Sequence, residues 1–288
     1  MQKTIYRKKE GESLFKEAYD RTLQEWDVPY GSSYVNTRFG RTHVIAAGPK
    51  GAEPLVLLHG FGFSSTMWKD NIKDLSEQYR VYALDFVGDI NRSVATKQIE
   101  SKADCANWFS DVLDELHLHK ANVMGMSYGG FLALVFAILL PNRVDKLITI
   151  CPGASLQKQK KQFFLRSLHA GIFPSAQNID RFIRYMSADA SKIDSTIRYQ
   201  FIVAMQNCIP RIKVFASYLT DDELQKIEAP TLLLIGNHEV QYNPNAAIER
   251  AGRFIPKLDA HLIKDAGHGV TLEQPQVVDQ HVLQFLQK

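Results

Sequence analysis

The stretch that decides the fold is Asn122–Gly130, with the sequence NVMGMSYGG. Its first three residues are a candidate for a short buried strand, and the apolar run Tyr128–Leu140 that follows predicts a buried helix. Gly125 and Gly129 flank Ser127, and small residues at these positions allow a strand to turn sharply into a closely packed helix. The stretch therefore predicts a strand, a tight turn at Ser127 and a helix.

This setting gives Ser127 a chemical interpretation. A sharp turn between strand and helix exposes the serine hydroxyl, and the helix start offers a backbone N–H and the positive end of its dipole to a developing oxyanion. The motif is short, so an ordinary serine in a tight turn is the alternative. We predict that Ser127 is a catalytic nucleophile and that the N–H of Tyr128 is one oxyanion-hole donor.

The rest of the chain alternates short apolar runs with helical stretches. Strands that are apolar along their whole length are typical of a parallel sheet covered by helices on both faces. A hairpin around Phe39-Gly40-Arg41 and a helix at about residues 11–27 precede them. The predicted strands of the sheet are Leu55–Leu58, Val81–Leu84, Asn122–Met124, Leu147–Ile150, Thr231–Ile235 and Ala260–Ile263.

One segment interrupts this alternation. Residues 155–227 have helical periodicity, many aromatic side chains and no convincing strand. We therefore predict an α/β core formed by residues 1–154 and 228–288, with residues 155–227 as a helical cap. The aromatic residues of this segment also fit a simpler role, which is to hold the insertion together.

The sequence His59-Gly60-Phe61-Gly62-Phe63 follows an apolar strand. Glycines at this point let the backbone turn inward, so the N–H of Phe61 becomes the second candidate oxyanion donor. His59 has no second metal ligand at helical or hairpin spacing, and we expect its ring to hold the loop in place. The alternative is a glycine-rich turn without a chemical role, and a phosphate site is disfavoured because no G-x-G-x-x-G or G-K-[ST] pattern is present.

Two further residues complete the predicted catalytic group. His268 lies between Gly267 and Gly269 after the last strand, where it can act as the base for Ser127. Glu239 follows strand Thr231–Ile235, and the order serine, acid, histidine makes it the preferred acid. Asp265 is the rival acid, although it lies close enough to His268 to cap the local turn instead. The loop Asp85–Ser93 is expected to be held by local hydrogen bonds, with binding of a polar substrate as the alternative.

Composition limits the other functions. A net charge of +3 is too small and too dispersed for nucleic-acid binding. The densest basic run, Lys158–Arg166, is interpreted as a solvated helix face. Three scattered cysteines favour neither disulfides nor a metal site, so no metal is predicted. The first residues lack an apolar signal core and the longest apolar run, Phe131–Leu140, is too short to span a bilayer, so a cytoplasmic protein is expected.

These motifs together resemble the α/β-hydrolase superfamily. More narrowly, the N-terminal helix, the segment Thr37–Ile45, Gly88-Asp89-x-Asn91-x-Ser93 and Gly236-x-His238-Glu239-Val240-x-Tyr242 resemble bacterial carboxylesterases. The resemblance implies a mostly parallel eight-stranded sheet, a helical cap, no cofactor and ester hydrolysis through an acyl-enzyme. Asp is more usual than Glu at the acid position, and a serine at the elbow differs from the Asp of the related dehalogenases and epoxide hydrolases.

The expected substrate is a small-molecule carboxylic ester, with Phe63 and Met126 as candidate lining residues of its pocket. The same catalytic group would also suit a lactone, a thioester, an amide or an activated C–C bond. A ligand-binding or signalling protein that retains the hydrolase fold is the alternative of a different class, because a fold alone does not define a function.

Overall fold

The computed structural model describes residues 4–288 and contains one mixed β-sheet with helices on both sides. The strands are β1 (Tyr30–Thr37), β2 (Gly40–Ala47), β3 (Pro54–Leu58), β4 (Arg80–Leu84), β5 (Val94–Ala95), β6 (Ala121–Met126), β7 (Val144–Ile150), β8 (Thr231–Gly236) and β9 (Leu258–Ile263). The order across the sheet is β1-β2-β4-β3-β6-β7-β8-β9, and the two-residue β5 pairs with β2.

Six neighbouring strands run parallel to one another, namely β4, β3, β6, β7, β8 and β9. Strand β2 is antiparallel to both of its neighbours, β1 and β4. The prediction of a mostly parallel eight-stranded sheet is therefore confirmed, and β5 adds a short ninth strand. The buried middle of the sheet explains the apolar runs, since every residue of β6 and of β8 is buried. Strands covered on both faces have no polar side to alternate with.

Eleven α-helices accompany the sheet. They are α1 (Lys9–Gln24), α2 (Ile72–Gln78), α3 (Lys102–Glu115), α4 (Tyr128–Leu139), α5 (Lys161–Ile172), α6 (Ala176–Met186), α7 (Ser195–Asn207), α8 (Asp221–Gln225), α9 (Pro244–Phe254), α10 (Val270–Glu273) and α11 (Pro275–Leu286), as found within residues 4–288. Helix α4 packs on β6 and β7, and its residues 128–137 are all buried. A helix that is apolar all round belongs in the interior. None of these helices is long and apolar enough to cross a membrane.

The N-terminal helix begins and ends slightly earlier than the predicted range of about residues 11–27. It ends at Gln24, although Trp26 beyond it is still buried. The residue before a proline avoids helical backbone angles, so Val28 before Pro29 helps to end the helix ahead of β1. The apolar periodicity continues through Trp26 because that side chain packs on the core without being helical.

Helices α5, α6, α7 and α8 lie between β7 and β8, within the segment predicted to be a cap. This segment is fastened to the first residues described and to α1. Arg7 N–H donates to Asn207 C=O at 2.8 Å, and Ile209 N–H donates to Ile5 C=O at 2.6 Å. Helix α1 also packs directly on α7. Tyr19 Oη of α1 also lies 3.2 Å from His43 Nδ1 of β2, so the N-terminal helix contacts both the helical insertion and the sheet.

Asp279 of α11 is a buried acid that the sequence does not mark. Its Oδ1 accepts a hydrogen bond from Asn71 Nδ2 at 2.9 Å, while its Oδ2 has no partner among the described residues. Burial raises the pKa of Asp279 to about 8, with smaller contributions from Asp74 and Asp70. The folded protein therefore holds a proton that the unfolded chain releases near pH 4.

This proton makes stability depend on pH. The unfolding free energy is expected to fall as pH rises from about 4 to about 8, because the folded state binds more protons than the unfolded state in that interval. Asp279→Asn should remove this slope and stabilise the protein by a few kcal/mol at about pH 8, as measured by urea denaturation at several pH values. The exposed Asp222 provides the control Asp222→Asn, which should leave the slope unchanged. An unaltered slope in Asp279→Asn would contradict the assignment.

Candidate active site

Ser127 lies directly after β6 and immediately before α4. Its backbone has φ 54° and ψ −111°, a region that residues with a side chain rarely occupy. The Ser127 N–H donates to Ile150 C=O at 2.8 Å, and the Ser127 C=O accepts from Phe131 N–H and Gly153 N–H, each at 2.9 Å. These bonds hold the turn in a strained conformation, which is typical of functional sites. The predicted strand, turn and helix are thus present.

Glycine is required on both sides of this serine. A Cβ atom on Gly125 would lie 2.2 Å from Gly129 O, and one on Gly129 would lie 2.1 Å from Leu58 O. Neither backbone oxygen can move without shifting a strand or a helix. The two glycines therefore allow α4 to approach the carboxyl ends of β3 and β6.

Gly129→Ala is expected to destabilise the protein by about 3 kcal/mol, since the added methyl group overlaps the backbone of β3 and forces α4 outward. Urea denaturation of the variant and the wild type measures this difference. Gly252 is the matched control, because it lies exposed in α9 with nothing within 4 Å of an added Cβ. Gly252→Ala should gain about 0.5–1 kcal/mol from its higher helix propensity. Equal stability of Gly129→Ala and the wild type would contradict the packing argument.

The structure brings Ser127, His268 and Glu239 together. His268 Nε2 lies 2.8 Å from Ser127 Oγ, and His268 Nδ1 lies 2.7 Å from Glu239 Oε2. These residues follow β6, β9 and β8, so the parallel strands deliver all three to the same edge of the sheet. Asp265, the rival acid, is exposed, and the His268 side chain makes its hydrogen bonds among the described residues with Glu239 and Ser127 and not with Asp265.

The Glu239 carboxylate is buried and held on both oxygens. Oε2 faces His268, and Oε1 accepts the Gln241 N–H at 2.7 Å. Burial by itself would raise the pKa of Glu239, but the charge and hydrogen bond of His268, together with the Gln241 N–H, outweigh burial and lower this pKa below its usual value. An ionised Glu239 can accept the Nδ1–H of His268 and thereby direct Nε2 towards Ser127.

The loop after β3 lies against the same turn. His59 Nε2 accepts the Phe86 N–H at 3.0 Å and Nδ1 lies 2.9 Å from Gly60 C=O, so the ring holds the loop as expected. A Cβ on Gly60 would lie 3.6 Å from Ser127 Cβ, which shows how closely the loop approaches. The N–H groups of Phe61 and Tyr128 donate to no other described residue. Two unpaired donors beside a serine suit an oxyanion.

The loop Asp85–Ser93 holds itself together and supports the glycine-rich loop. Asp85 Oδ1 accepts from the N–H and hydroxyl of Ser65, and Asp89 Oδ2 accepts from Gly62 N–H at 3.1 Å. Asn91 donates to Phe86 C=O at 2.7 Å. The Asn91 bond is local, as expected for this loop, whereas Asp85 and Asp89 bind residues 20 and 27 positions earlier in the chain, and both carboxylates are buried.

The two candidate pocket residues have different surroundings. Met126 is buried, and its Sδ would lie 3.2 Å from a Cβ on Gly60, so it packs beneath the glycine-rich loop. Phe63 is half-buried and stacks on Phe201 of α7, with ring centroids 4.4 Å apart. Phe63 thus connects the loop after β3 to the helical insertion.

Sequence reasoning missed three residues that support the site. Glu273 Oε1 accepts Gly267 N–H at 2.9 Å, and Oε2 accepts the N–H groups of Ala188 and Asp189, so it joins the His268 loop to the helical insertion. The Gln241 N–H donates to Glu239, and Cys151 lies buried beside Glu239 and His268. The partners of Glu273 at Ala188 and Asp189 and the neighbours of Cys151 lie far away along the chain, so no local pattern marks these two residues, whereas Gln241 is only two residues from Glu239.

Cys151, Glu239 and His268 also form the one group of three or more potential metal-ligating side chains that the described residues bring together. Their ligand atoms all lie within 4.8 Å of one another. However, His268 Nδ1 and Glu239 Oε2 already share a hydrogen bond of 2.7 Å, which accounts for their proximity. The Cys151 thiol is fully buried, and burial raises its pKa well above the usual value. A thiol in this state is a poor metal ligand.

Comparison with known proteins defines the class of this protein. The sequence model of the alpha/beta hydrolase fold matches residues 53–275, and the chain belongs to this family. The chain is 37% identical over 277 residues to a Bacillus subtilis protein named uncharacterized carboxylesterase nap, covering 94% of this chain and 91% of that protein.

Two solved structures from Bacillus subtilis are similar throughout. The crystal structure of naproxen esterase (carboxylesterase NP) has a TM-score of 0.93 at 36% identity, and the match covers 97% of this chain and 99% of that chain. The crystal structure of carboxylesterase CesB (YbfK) has a TM-score of 0.90 at 36% identity, with 96% and 98% covered. The predicted resemblance to bacterial carboxylesterases is therefore confirmed.

Proposed function

We propose that this chain is a serine hydrolase that cleaves carboxylic esters through an acyl-enzyme intermediate. The observation that carries the proposal is the continuous hydrogen-bonded series from Glu239 through His268 to Ser127, with distances of 2.7 Å and 2.8 Å. The likeness to proteins named carboxylesterases supports an ester as the substrate.

The reaction follows from these positions. Ser127 Oγ attacks the ester carbonyl while His268 Nε2 accepts its proton, and the N–H groups of Phe61 and Tyr128 stabilise the oxyanion. His268 then donates the proton to the departing alcohol, which leaves an acyl group on Ser127. A water molecule, deprotonated by His268, then attacks the acyl carbon, the bond to Ser127 Oγ breaks, the carboxylic acid leaves, and His268 returns the proton to Ser127 Oγ. Glu239 stabilises the imidazolium in both halves of the reaction, which needs no cofactor.

Residues 155–227 are proposed to act as a cap over this site. The His268 N–H donates to Met186 C=O at 2.7 Å, and Tyr128 Oη donates to Val214 C=O at 2.7 Å. Phe163 of α5 packs on the His268 ring with a centroid distance of 5.7 Å. Contacts from three parts of the insertion would let it shape the acyl and alcohol pocket, with Phe63 and Met126 among the proposed lining residues.

We also propose a cytoplasmic location and a small-molecule partner. Cys105, Cys151 and Cys208 are all free and buried, as suits a reducing compartment. The proposed catalytic group acts on one carbonyl group of a small molecule, and the net charge of only +3 over the whole chain gives no reason to expect nucleic acid as a partner.

The test is a panel of p-nitrophenyl esters alongside a lactone, a thioester, an anilide and a substrate with an activated C–C bond. We expect fast, repeated turnover of short esters and much slower cleavage of the other bonds. Turnover of another bond class with esters left intact would contradict the ester assignment. A ligand retained without turnover would favour a binding protein that keeps the hydrolase fold.

A further inference from the structure

Helix α5 has an exposed apolar face. Phe164, Leu165, Leu168 and Ile172 are each between 44% and 61% exposed, and we call these four residues the apolar strip. At about 100° per residue they occupy an arc of roughly 100° on one side of the helix. Phe163 and Ala170, on the opposite side, are buried against the protein. The helix therefore presents one apolar face inward and a second one to the solvent.

The segment that contains the apolar strip is rich in basic residues. The segment 156–186 contains six Lys or Arg residues and one Asp, a net charge of +5, whereas the whole chain carries +3. The six are Lys158, Lys160, Lys161, Arg166, Arg181 and Arg184, and all are exposed. Among the described residues only Arg184 of these six has a carboxylate partner, Asp180. The positive charge of the chain is thus concentrated in the segment that contains the apolar strip.

A groove beside the strip adds guanidinium groups. It has a volume of about 540 Å³, lies between α5 and α6, and is lined by Arg166, His169 and Arg181 together with Leu165. Arg166 stacks over the Tyr185 ring at 4.4 Å, and Arg181 donates to Asn178 Oδ1 at 3.2 Å. Both guanidinium groups keep donors available for an anion.

We propose that the face formed by α5 and α6 binds the surface of an anionic lipid bilayer, with the apolar strip entering the headgroup boundary. An exposed apolar helix face bordered by Lys and Arg is the pattern of interfacial helices. The charge of this face favours an anionic bilayer over a second copy of this chain. Two copies that met at this face would bring two segments of +5 together, and these would repel each other. Because Phe163 contacts the His268 ring from the inner side of α5, a bound bilayer would lie next to the catalytic group.

Vesicle co-sedimentation tests this surface with the whole chain. Wild type should bind phosphatidylglycerol vesicles and bind phosphatidylcholine vesicles at least tenfold more weakly, and added salt should release it. Lys160→Gln with Lys161→Gln should weaken binding roughly 25-fold, at about fivefold for each basic residue near an anionic surface. Leu165→Ser with Leu168→Ser should weaken binding about tenfold or more by removing apolar insertion.

Matched controls lie elsewhere on the surface. Leu139→Ser changes an exposed leucine at the far end of α4, and Lys50→Gln changes an exposed lysine outside segment 156–186. Both should bind vesicles like wild type. All variants should hydrolyse a water-soluble p-nitrophenyl ester at the wild-type rate, so a failure of lipid binding is distinguished from a failure of the esterase assignment.

Three outcomes would overturn the proposal. One is no binding of wild type to phosphatidylglycerol vesicles. Another is a dimer in size-exclusion chromatography that Leu165→Ser with Leu168→Ser dissociates, since a second copy would then cover the strip. The third is binding of polyglutamate or inorganic phosphate that the lysine variant abolishes while vesicles remain unbound, which would assign the charge to an acidic protein or a free anion.

Discussion

Ser127→Ala is expected to lower kcat for an ester substrate by roughly 10⁴–10⁶-fold. Ser127 Oγ is the atom that would form the bond to the acyl group, and alanine has no hydroxyl group that His268 could deprotonate. The fold should survive, because the bonds that hold this turn come from the backbone of residue 127. Initial rates with a p-nitrophenyl ester measure the loss, and circular dichroism checks the fold.

A fluorophosphonate probe examines the same residue without a natural substrate. The probe should attach to Ser127 in the wild type, as mapped by peptide mass spectrometry, and should not label Ser127→Ala. Ser33 provides a control, because it lies exposed on β1, which β2, β4 and β3 separate from β6 in the sheet, and Ser33→Ala should keep full activity and labelling. Active protein labelled at another serine would refute the nucleophile assignment.

Glu239→Gln is expected to lower kcat by about 10⁴-fold, the order seen when a triad acid becomes an amide. The buried carboxylate accepts a hydrogen bond from His268 Nδ1 and opposes the charge of the imidazolium. An amide can donate to that nitrogen and so stabilise the tautomer with its proton on Nε2, which cannot accept the Ser127 proton. KM should change much less than kcat, because Glu239 is not expected to contact the substrate.

Two further variants make this result specific. Glu239→Asp keeps the charge but shortens the reach by one methylene, so it should retain more activity than Glu239→Gln. Asp265→Asn alters the rival acid and should remain within a few-fold of wild type, since its side chain is exposed. Large loss in Asp265→Asn with little in Glu239→Gln would reverse the assignment.

Much of the sheet could be predicted because its signals are local. The runs in β6 and β8 are apolar since both strands are buried on both faces, and a buried strand is apolar along its whole length. The strand ends were predicted less accurately: β6 ends at Met126 rather than Met124, and β7 begins at Val144 rather than Leu147. The sequence did not predict β5, because a strand of two residues is too short to give a recognisable hydrophobic pattern.

The active-site prediction depended on order as well as on pattern. Gly125, Ser127 and Gly129 form a motif whose steric demands are satisfied within a few residues and at the end of β3. His268 and Glu239 were inferred from their places after the last strands. The sequence provided only an indirect argument for Glu239 over Asp265. In the structure, Glu239 Oε2 lies 2.7 Å from His268 Nδ1, which supports Glu239 as the acid.

The sequence by itself determined the strand–turn–helix at Ser127, the parallel sheet and the chain order of serine, acid and histidine, because each depends on the steric and hydrophobic properties of neighbouring residues. Only the tertiary structure decided the support of the site by Glu273 and Gln241 and the exposure of the apolar strip on α5. Those features depend on which distant segments meet across the sheet. Two faces of one helix can be equally apolar, and packing alone determines which of them is buried.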